Sequence, residues 1–179
     1  MACTAVTAGR ALPCKDSLGG IKQIWAANFV DGLWAAVSSG EIANATSSSA
    51  TIFKNYDMHK NTGSFTQTVN ASIENGTIFY TQVVSCVFSN EVAADISNFQ
   101  AMTKGRLALV VQDVNDKLFI MGHTRGAELS GGTLESGVAM GDFNGLKYEF
   151  TAQEFIAAPF LANTLGVPTG DKVTFTPTA

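Results

Sequence analysis

The stretch SFTQTVNASIENGTIFYTQVVSCVF, residues 64–88, decides the fold that the sequence predicts. Between Ser64 and Ile73 apolar and polar side chains alternate, a period of two that is typical of a half-buried β-strand. The apolar face carries Phe65, Val69, Ala71 and Ile73, and the polar face carries Thr66, Thr68, Asn70 and Ser72. Asn75-Gly76 then matches the residue pair favoured in type I′ turns. The stretch therefore predicts a long antiparallel hairpin.

The second strand of this hairpin, Thr77–Phe88, is partly apolar on both faces. One face holds Ile78, Tyr80, Val84, Cys86 and Phe88, and the other alternates hydroxyl-bearing residues with Phe79, Val83 and Val87. A strand of this kind is usually covered on both sides. We expect the protein core on one side and a neighbouring structure on the other.

The period changes after the hairpin, because apolar residues now recur at helical spacing. Val92, Ile96 and Phe99 carry this pattern, and Gly105 supplies a stop signal. The sequence therefore predicts the one substantial helix over residues 91–104. We expect these three apolar residues to pack that helix against the sheets.

The other segments predict mostly β structure. A first strand over 21–30 is followed by the turn signal Asp31-Gly32 and by a partner strand over 33–37. Further strands are expected near 41–43, 52–56, 106–112, 117–122, 136–140, 146–151 and 172–176. The rest of the glycine-rich segment 124–145 is expected to be loop.

These elements add up to a mainly β (α+β) chain, an antiparallel β-sandwich or partial barrel with one flanking α-helix. The 179 residues predict a single domain. We expect an N-terminal arm or loop over 1–20, a sandwich over 21–154 and a C-terminal extension over 155–179.

The composition points towards assembly with other chains. Hydrophobic residues make up 46% of the chain and charged residues 15%, and the formal net charge is −4. An average soluble protein has about 25% charged residues, so part of this surface is expected to be buried against other chains. The net negative charge argues against a basic surface that binds nucleic acid. No apolar run approaches the length that spans a bilayer, and no secretory signal is visible, so no membrane association is expected.

No residues with the spacing of a catalytic or metal site stand out. The three cysteines Cys3, Cys14 and Cys86 match neither a disulfide framework nor a zinc site, so reduced thiols are expected. His59 and His123 lack an oriented partner, and Asp113–Asp116 is interpreted as a hairpin turn and not as a calcium loop. We therefore expect no enzyme activity, no cofactor and no metal.

Two interpretations stay open from the residues alone. One is an assembly protein whose strand edges pair with other copies of the chain. The other is a β-rich monomer with an ordinary ligand pocket. Composition alone does not separate them.

Four segments add a resemblance to a known family. They are LGGIKQIW (18–25), NGTIFYTQ (75–82), GDFNG (141–145) and LKYEFTAQE (146–154). Their order over roughly residues 20–154 resembles small structural proteins of tailed bacteriophages, most of all the major tail tube proteins. The resemblance implies a tail-tube-like fold, hexameric rings whose inner sheets close into one barrel, and stacked rings that form a hollow conduit for DNA. An acidic lumen, common in that family, repels DNA and lets it slide.

The resemblance also implies roles for individual residues. The lumen or inter-subunit hairpin would contain Thr66, Thr68, Asn70, Ser72, Asn75, Gly76, Thr77, Thr81 and Ser85. Segments 38–62 and 126–141 and the two terminal arms would contact neighbouring rings. Expected partners are further copies of the chain, other tail or capsid proteins and transient, non-specific DNA. The expected location is the virion, after synthesis in the bacterial host cytoplasm. The alternatives are a capsid decoration, head fibre or tail completion protein.

Overall fold

The computed structural model describes residues 9–42, 52–90, 92–162 and 172–174. The strands are β1 (Ile21–Asn28), β2 (Glu41–Ile42), β3 (Ile52–Asp57), β4 (Gly63–Ser72), β5 (Thr77–Ser89), β6 (Leu107–Asp113), β7 (Leu118–Met121), β8 (Glu128–Glu135), β9 (Gly145–Glu154), β10 (Phe160–Leu161) and β11 (Lys172–Thr174), with one helix, α1 (Ala93–Met102). They form two open sheets. The prediction of a mainly β sandwich with a flanking helix is confirmed, and in the described residues no barrel closes.

The larger sheet has seven strands in the order β11-β3-β1-β6-β7-β10-β2. Its centre is the antiparallel pair of β1 and β6, in which Ile24 lies opposite Val111. Both strands are almost continuously apolar, and six consecutive residues of β6 are buried. Such runs suit strands with both faces covered.

The smaller sheet has four antiparallel strands in the order β4-β5-β9-β8. The hairpin β4–β5 pairs from Gly63 opposite Cys86 to Ser72 opposite Thr77, which confirms the hairpin predicted from the sequence. Strand β9 continues the sheet, with its alternating residues paired to β5 from Tyr80 to Ser89.

The two sheets enclose the main core. On the side of the smaller sheet this core takes inward residues of β5 and β9, among them Val84, Cys86 and Phe150. A second apolar cluster lies on the other face of the larger sheet, where Leu33, Trp34 and Ile42 cover Trp25. Both faces of the larger sheet are therefore covered by apolar clusters, whereas only one face of the smaller sheet is covered.

Helix α1 is attached by its C-terminal half. The Phe99 ring stacks on Tyr148 with centroids 5.0 Å apart, and Met102 is buried. At the N-terminus the Val92 N–H donates to the Asp95 carboxylate at 3.1 Å. The side chains of Val92 and Ile96 are 53% and 42% exposed, so the prediction that they pack the helix on the sheets is wrong. The helix residues that contact the core are Phe99 and Met102, which lie nearer its C-terminus.

Three local predictions are corrected by the structure. Residues 33–37 form no partner strand for β1, because β3 and β6 already pair with both of its edges. No strand occupies 136–140; the glycine-rich segment instead contains β8 directly before it. The hairpin turn is not type I′, since only Gly76 of the Asn75-Gly76 pair has a positive φ, of 61°.

The described parts of the two arms differ from each other. Residues 9–20 are exposed and contain no helix or strand. The side chain of Asn115 ties them to the β6–β7 turn, because it donates to the Leu18 carbonyl at 2.7 Å and accepts from the Leu18 N–H at 3.0 Å. The extension after 154 adds β10 and β11 to the larger sheet. Predictions for 1–8, 43–51, 91, 163–171 and 175–179 lie outside the described residues.

Candidate assembly surface

One face of the smaller sheet points away from the core and is rich in hydroxyl groups. The strand register places all of the predicted lumen residues of β4 and β5 on this outer face: Thr66, Thr68, Asn70, Ser72, Thr77, Thr81 and Ser85. Asn70 Nδ2 donates to Thr81 Oγ1 across the strands at 2.8 Å. Ser130 and Thr151 hydroxyls are also 2.8 Å apart, so β8 and β9 continue the polar surface.

The outer face has an excess of acidic groups. Its ionisable side chains on β8 and β9 are Glu128, Glu135, Glu149 and Lys147, three carboxylates and one ammonium group, for a net charge of −2. Lys147 Nζ lies 2.7 Å from Glu135 Oε2. The hydrogen bond from Lys147 lowers the pKa of Glu135. The other two carboxylates of this face are those of Glu128 and Glu149, and both side chains are exposed.

The outer edge of β4 is unpaired. Among the described residues, β4 pairs with β5 alone over its ten residues. The Val87 N–H donates to the Thr62 carbonyl at 3.0 Å, which fixes the alternation of hydrogen bonds along this ladder. The backbone groups of Phe65, Gln67, Val69 and Ala71 consequently point away from β5. A row of free donors and acceptors of this kind can accept another strand.

The distal part of the hairpin projects beyond the rest of the sheet. Strand β9 ends opposite Tyr80, so no third strand among the described residues lies beside the pairs from Asn70–Phe79 to the turn. The projecting apolar side chains are unusually open to solvent: Val69 is 54%, Ile73 98% and Ile78 57% exposed. The sequence predicted Ile73 on the apolar face of the strand, but the core ends before reaching it.

A buried polar cluster that the sequence did not predict lies at the inner face of the smaller sheet. Gln82 and Glu154 are at most 1% exposed. Glu154 Oε1 accepts the N–H groups of Thr124 and Arg125 at 3.0 and 2.8 Å, and Gln82 Oε1 accepts the Gly122 N–H at 3.2 Å. These hydrogen bonds hold the β7–β8 loop against the inner face of β5 and β9. Their positions could have indicated this burial, because Gln82 and Glu154 each fall in the sequence on the side of an alternating strand that faces the core.

The residues considered as catalytic or metal-binding candidates lie in separate places in the described part of the chain. His123 contacts the neighbouring Thr124 hydroxyl at 3.0 Å, and His59 lies exposed before β4. Asp113 accepts the Lys117 N–H at 2.8 Å, as a self-capped turn does. Within the described ranges no three His, Cys, Asp or Glu side chains are grouped so that they could hold a metal ion. In the same part of the chain, no helix combines the length and the apolar character of a membrane span.

The fold and this surface define a two-sheet β protein with an open, polar-faced sheet. Comparisons with known proteins found nothing significant, as no family model, no curated protein and no solved structure matches the chain.

Proposed function

We propose that the chain is a self-assembling structural subunit of a bacteriophage virion, a tail tube protein that forms stacked hexameric rings around a conduit for DNA. The observation that carries the proposal is the four-stranded sheet, which has one apolar face, one face rich in polar residues and a ten-residue edge with no partner strand among the described residues. The low share of charged residues, 15%, also favours a subunit buried in an assembly.

The direction of the strands suits a ring. Strands in the order β4-β5-β9-β8 alternate in direction, so β4 and β8 at the two edges run antiparallel to each other. The β4 edge of one copy can therefore pair in antiparallel fashion with the β8 edge of the next copy. Head-to-tail contacts of this type close into rings when the rotation between copies permits.

The dimensions of such a ring suit a conduit. In six four-stranded sheets, with strands about 4.8 Å apart and tilted by about 40°, the backbone would enclose a barrel roughly 50 Å across. The polar outer face of each sheet would line the bore, because the apolar face is covered by the core of its own subunit. The carboxylates of Glu128 and Glu149 would then face the DNA and repel its phosphates.

Electron microscopy of the purified protein with two variants of one residue tests the proposal. Val69→Pro removes a backbone N–H that points to the free edge, whereas Val69→Thr keeps it, and proline is tolerated at this kind of edge position. We expect rings or tubes from the unaltered chain and from Val69→Thr, and monomers from Val69→Pro with an unchanged circular dichroism spectrum.

Two results would contradict the proposal. Monomers of the unaltered chain at every concentration would reject self-assembly. Rings of Val69→Pro as abundant as those of Val69→Thr would show that β4 does not form the contact between subunits.

A further inference from the structure

The loop between β8 and β9 presents two apolar side chains to solvent. Val138 and Met140 are 102% and 109% exposed relative to an isolated reference residue. The loop is organised by its own hydrogen bonds, because Asp142 Oδ2 accepts the N–H groups of Ala139 and Val138 at 2.8 and 2.9 Å. These two bonds lower the pKa of Asp142. We call residues 138–142 the knob.

A cleft lies beside the projecting hairpin. Its volume is about 440 Å³, and its walls include Ile78, Phe79, Arg125, Glu154 and Phe155. Phe155 is 65% exposed, and the Arg125 guanidinium lies 5.9 Å from the centre of its ring. Glu154 is 1% exposed, and its Oε2 atom has no hydrogen-bond partner in the described structure. The cleft thus combines open apolar walls with an unsatisfied buried acceptor.

The knob and the cleft lie at opposite ends of the smaller sheet. The knob precedes Gly145, which pairs with Ser89 at one end of the β5–β9 ladder. The cleft contains Glu154, which pairs with Tyr80 at the other end of that ladder. A second copy displaced along the strand direction would bring its knob towards the cleft of the first copy.

The charges at the two ends are complementary. The knob carries the carboxylate of Asp142, and the cleft carries the guanidinium of Arg125. Lys60, which is exposed just before β4, lies at the knob end of the sheet, whereas the exposed Glu74 lies in the turn at the cleft end. Asp142 of one copy can therefore face Arg125 of the next, and Lys60 can face Glu74. The Glu154 carboxylate stays buried within its own subunit, and Glu135 at the knob end is already paired with Lys147.

We propose that the knob of one copy binds in the cleft of a second copy, with Met140 between Phe79 and Phe155. A thioether side chain adapts well to an aromatic-walled cleft and gains from sulfur–aromatic contact. The two patches differ from each other, so the contact is heterologous and repeats without closing when copies are displaced along one axis. The inference rests on the proposed function and deepens it, since it names the surfaces that stack one ring on the next.

Cross-linking of mixed single-cysteine variants tests the contact directly. In a Cys3→Ser, Cys14→Ser background, Met140→Cys and Phe155→Cys proteins are prepared separately, mixed and treated with a short bismaleimide. Cys86 is 1% exposed and remains protected. We expect cross-linked dimers from the mixture and few from either variant alone. Thr68→Cys, exposed in the middle of the outer face, is the control and should not cross-link to Met140→Cys.

A charge substitution tests the consequence for assembly. Met140→Asp should leave single rings intact and abolish stacks of rings, because the new carboxylate would lie between the Phe79 and Phe155 rings, near the Glu154 carboxylate, while Arg125 already faces Asp142. Ser136→Asp adds the same charge in the same loop outside the knob and should still form tubes. Both residues are exposed, so neither change should alter the melting temperature.

The outcomes separate this inference from the proposed function. Rings without stacks in Met140→Asp, together with cross-links in the mixture, would support both. Normal tubes in Met140→Asp, or the absence of mixed cross-links in assembled material, would overturn the knob-and-cleft contact and leave the ring intact. Mixed cross-links between copies that never form rings would support the contact and reject the tube.

Discussion

The two sheets of this protein use their faces differently. The larger sheet is covered on both sides, by the core between the sheets and by a second cluster that contains Trp25 and Trp34. The smaller sheet is covered on one side, and its other side carries Ser, Thr and carboxylate residues together with Phe79, Val83 and Val87. A face on which no residue is fully buried contributes less to folding than a face covered by a core. The difference therefore suggests that the larger sheet supplies the stability of the subunit, and that the smaller sheet is available for contacts with other molecules.

The largest change in stability is expected from a substitution in the core of the larger sheet. Trp25 is fully buried, so Trp25→Ala should lower the free energy of unfolding by about 3–5 kcal/mol. Chemical denaturation measures this change. Thr68→Ala, on the outer face of the smaller sheet, should lower it by less than about 0.5 kcal/mol. Equal losses from the two substitutions would remove the distinction between the sheets.

The next effect concerns the core that both sheets share. Burial raises the pKa of the Cys86 thiol from 9.0 to about 12. Between these values the unfolded chain releases the proton and the folded chain keeps it, so the free energy of unfolding falls as pH rises, by at most about 1.4 kcal/mol per pH unit. Below about pH 9 this contribution is fully present. Denaturation between pH 8 and 11 should show a smaller decline in Cys86→Ala, while Cys14→Ala, at an exposed thiol, should follow the unaltered chain.

A smaller effect tests how the helix is attached to the smaller sheet. Phe99→Ala removes the ring that stacks on Tyr148 and should lower the free energy of unfolding by about 1–2 kcal/mol. Ile96→Ala is the matched control on the same helix, and its loss should be clearly smaller because Ile96 is 42% exposed. A larger loss from Ile96→Ala would restore the helix orientation that the sequence pattern suggested.

The same contrast explains which parts of the fold could be predicted from the sequence. Strict alternation identified β4 and β9, and an apolar run identified β6, because each pattern reflects burial along its own strand. The partners of β1 are distant in the chain, and local turn signals pointed instead to residues 33–37. Periodicity carries no information about which distant strands compete for an edge.

Strand β8 was missed because its glycines hide the strand pattern. Gly132 lies under the helix, and a Cβ atom there would come within 2.7 Å of the Phe99 ring. The glycine that weakened the local signal is thus required by a tertiary contact. The polar surface could be predicted, because alternation places Thr66 and Thr68 on one face of β4. Alternation could not predict that Gln82 and Glu154 are buried on the opposite face of the sheet as hydrogen-bond acceptors.

The smallest effect on stability is expected on the outer face, where the proposed function predicts a change in DNA binding. Glu128→Lys with Glu149→Lys changes the charge of this face from −2, that of three carboxylates and one ammonium, to +2. Both side chains are exposed, so the melting temperature should hardly change. Assembled rings of this variant should retain duplex DNA at low salt and release it steeply as salt rises, because bound phosphates exchange for counter-ions.

A control variant separates the outer face from the net charge of the protein. Asp31→Lys with Glu41→Lys makes the same change in charge at exposed positions outside the smaller sheet. If the outer face lines the bore, this control should bind DNA weakly, and its DNA should be accessible to nuclease. DNA retained by the outer-face variant should instead be protected, since it would lie inside the rings. Equal retention and equal digestion in both variants would place the outer face on the exterior of the assembly, and the smaller sheet would then lose its role as the wall of a conduit.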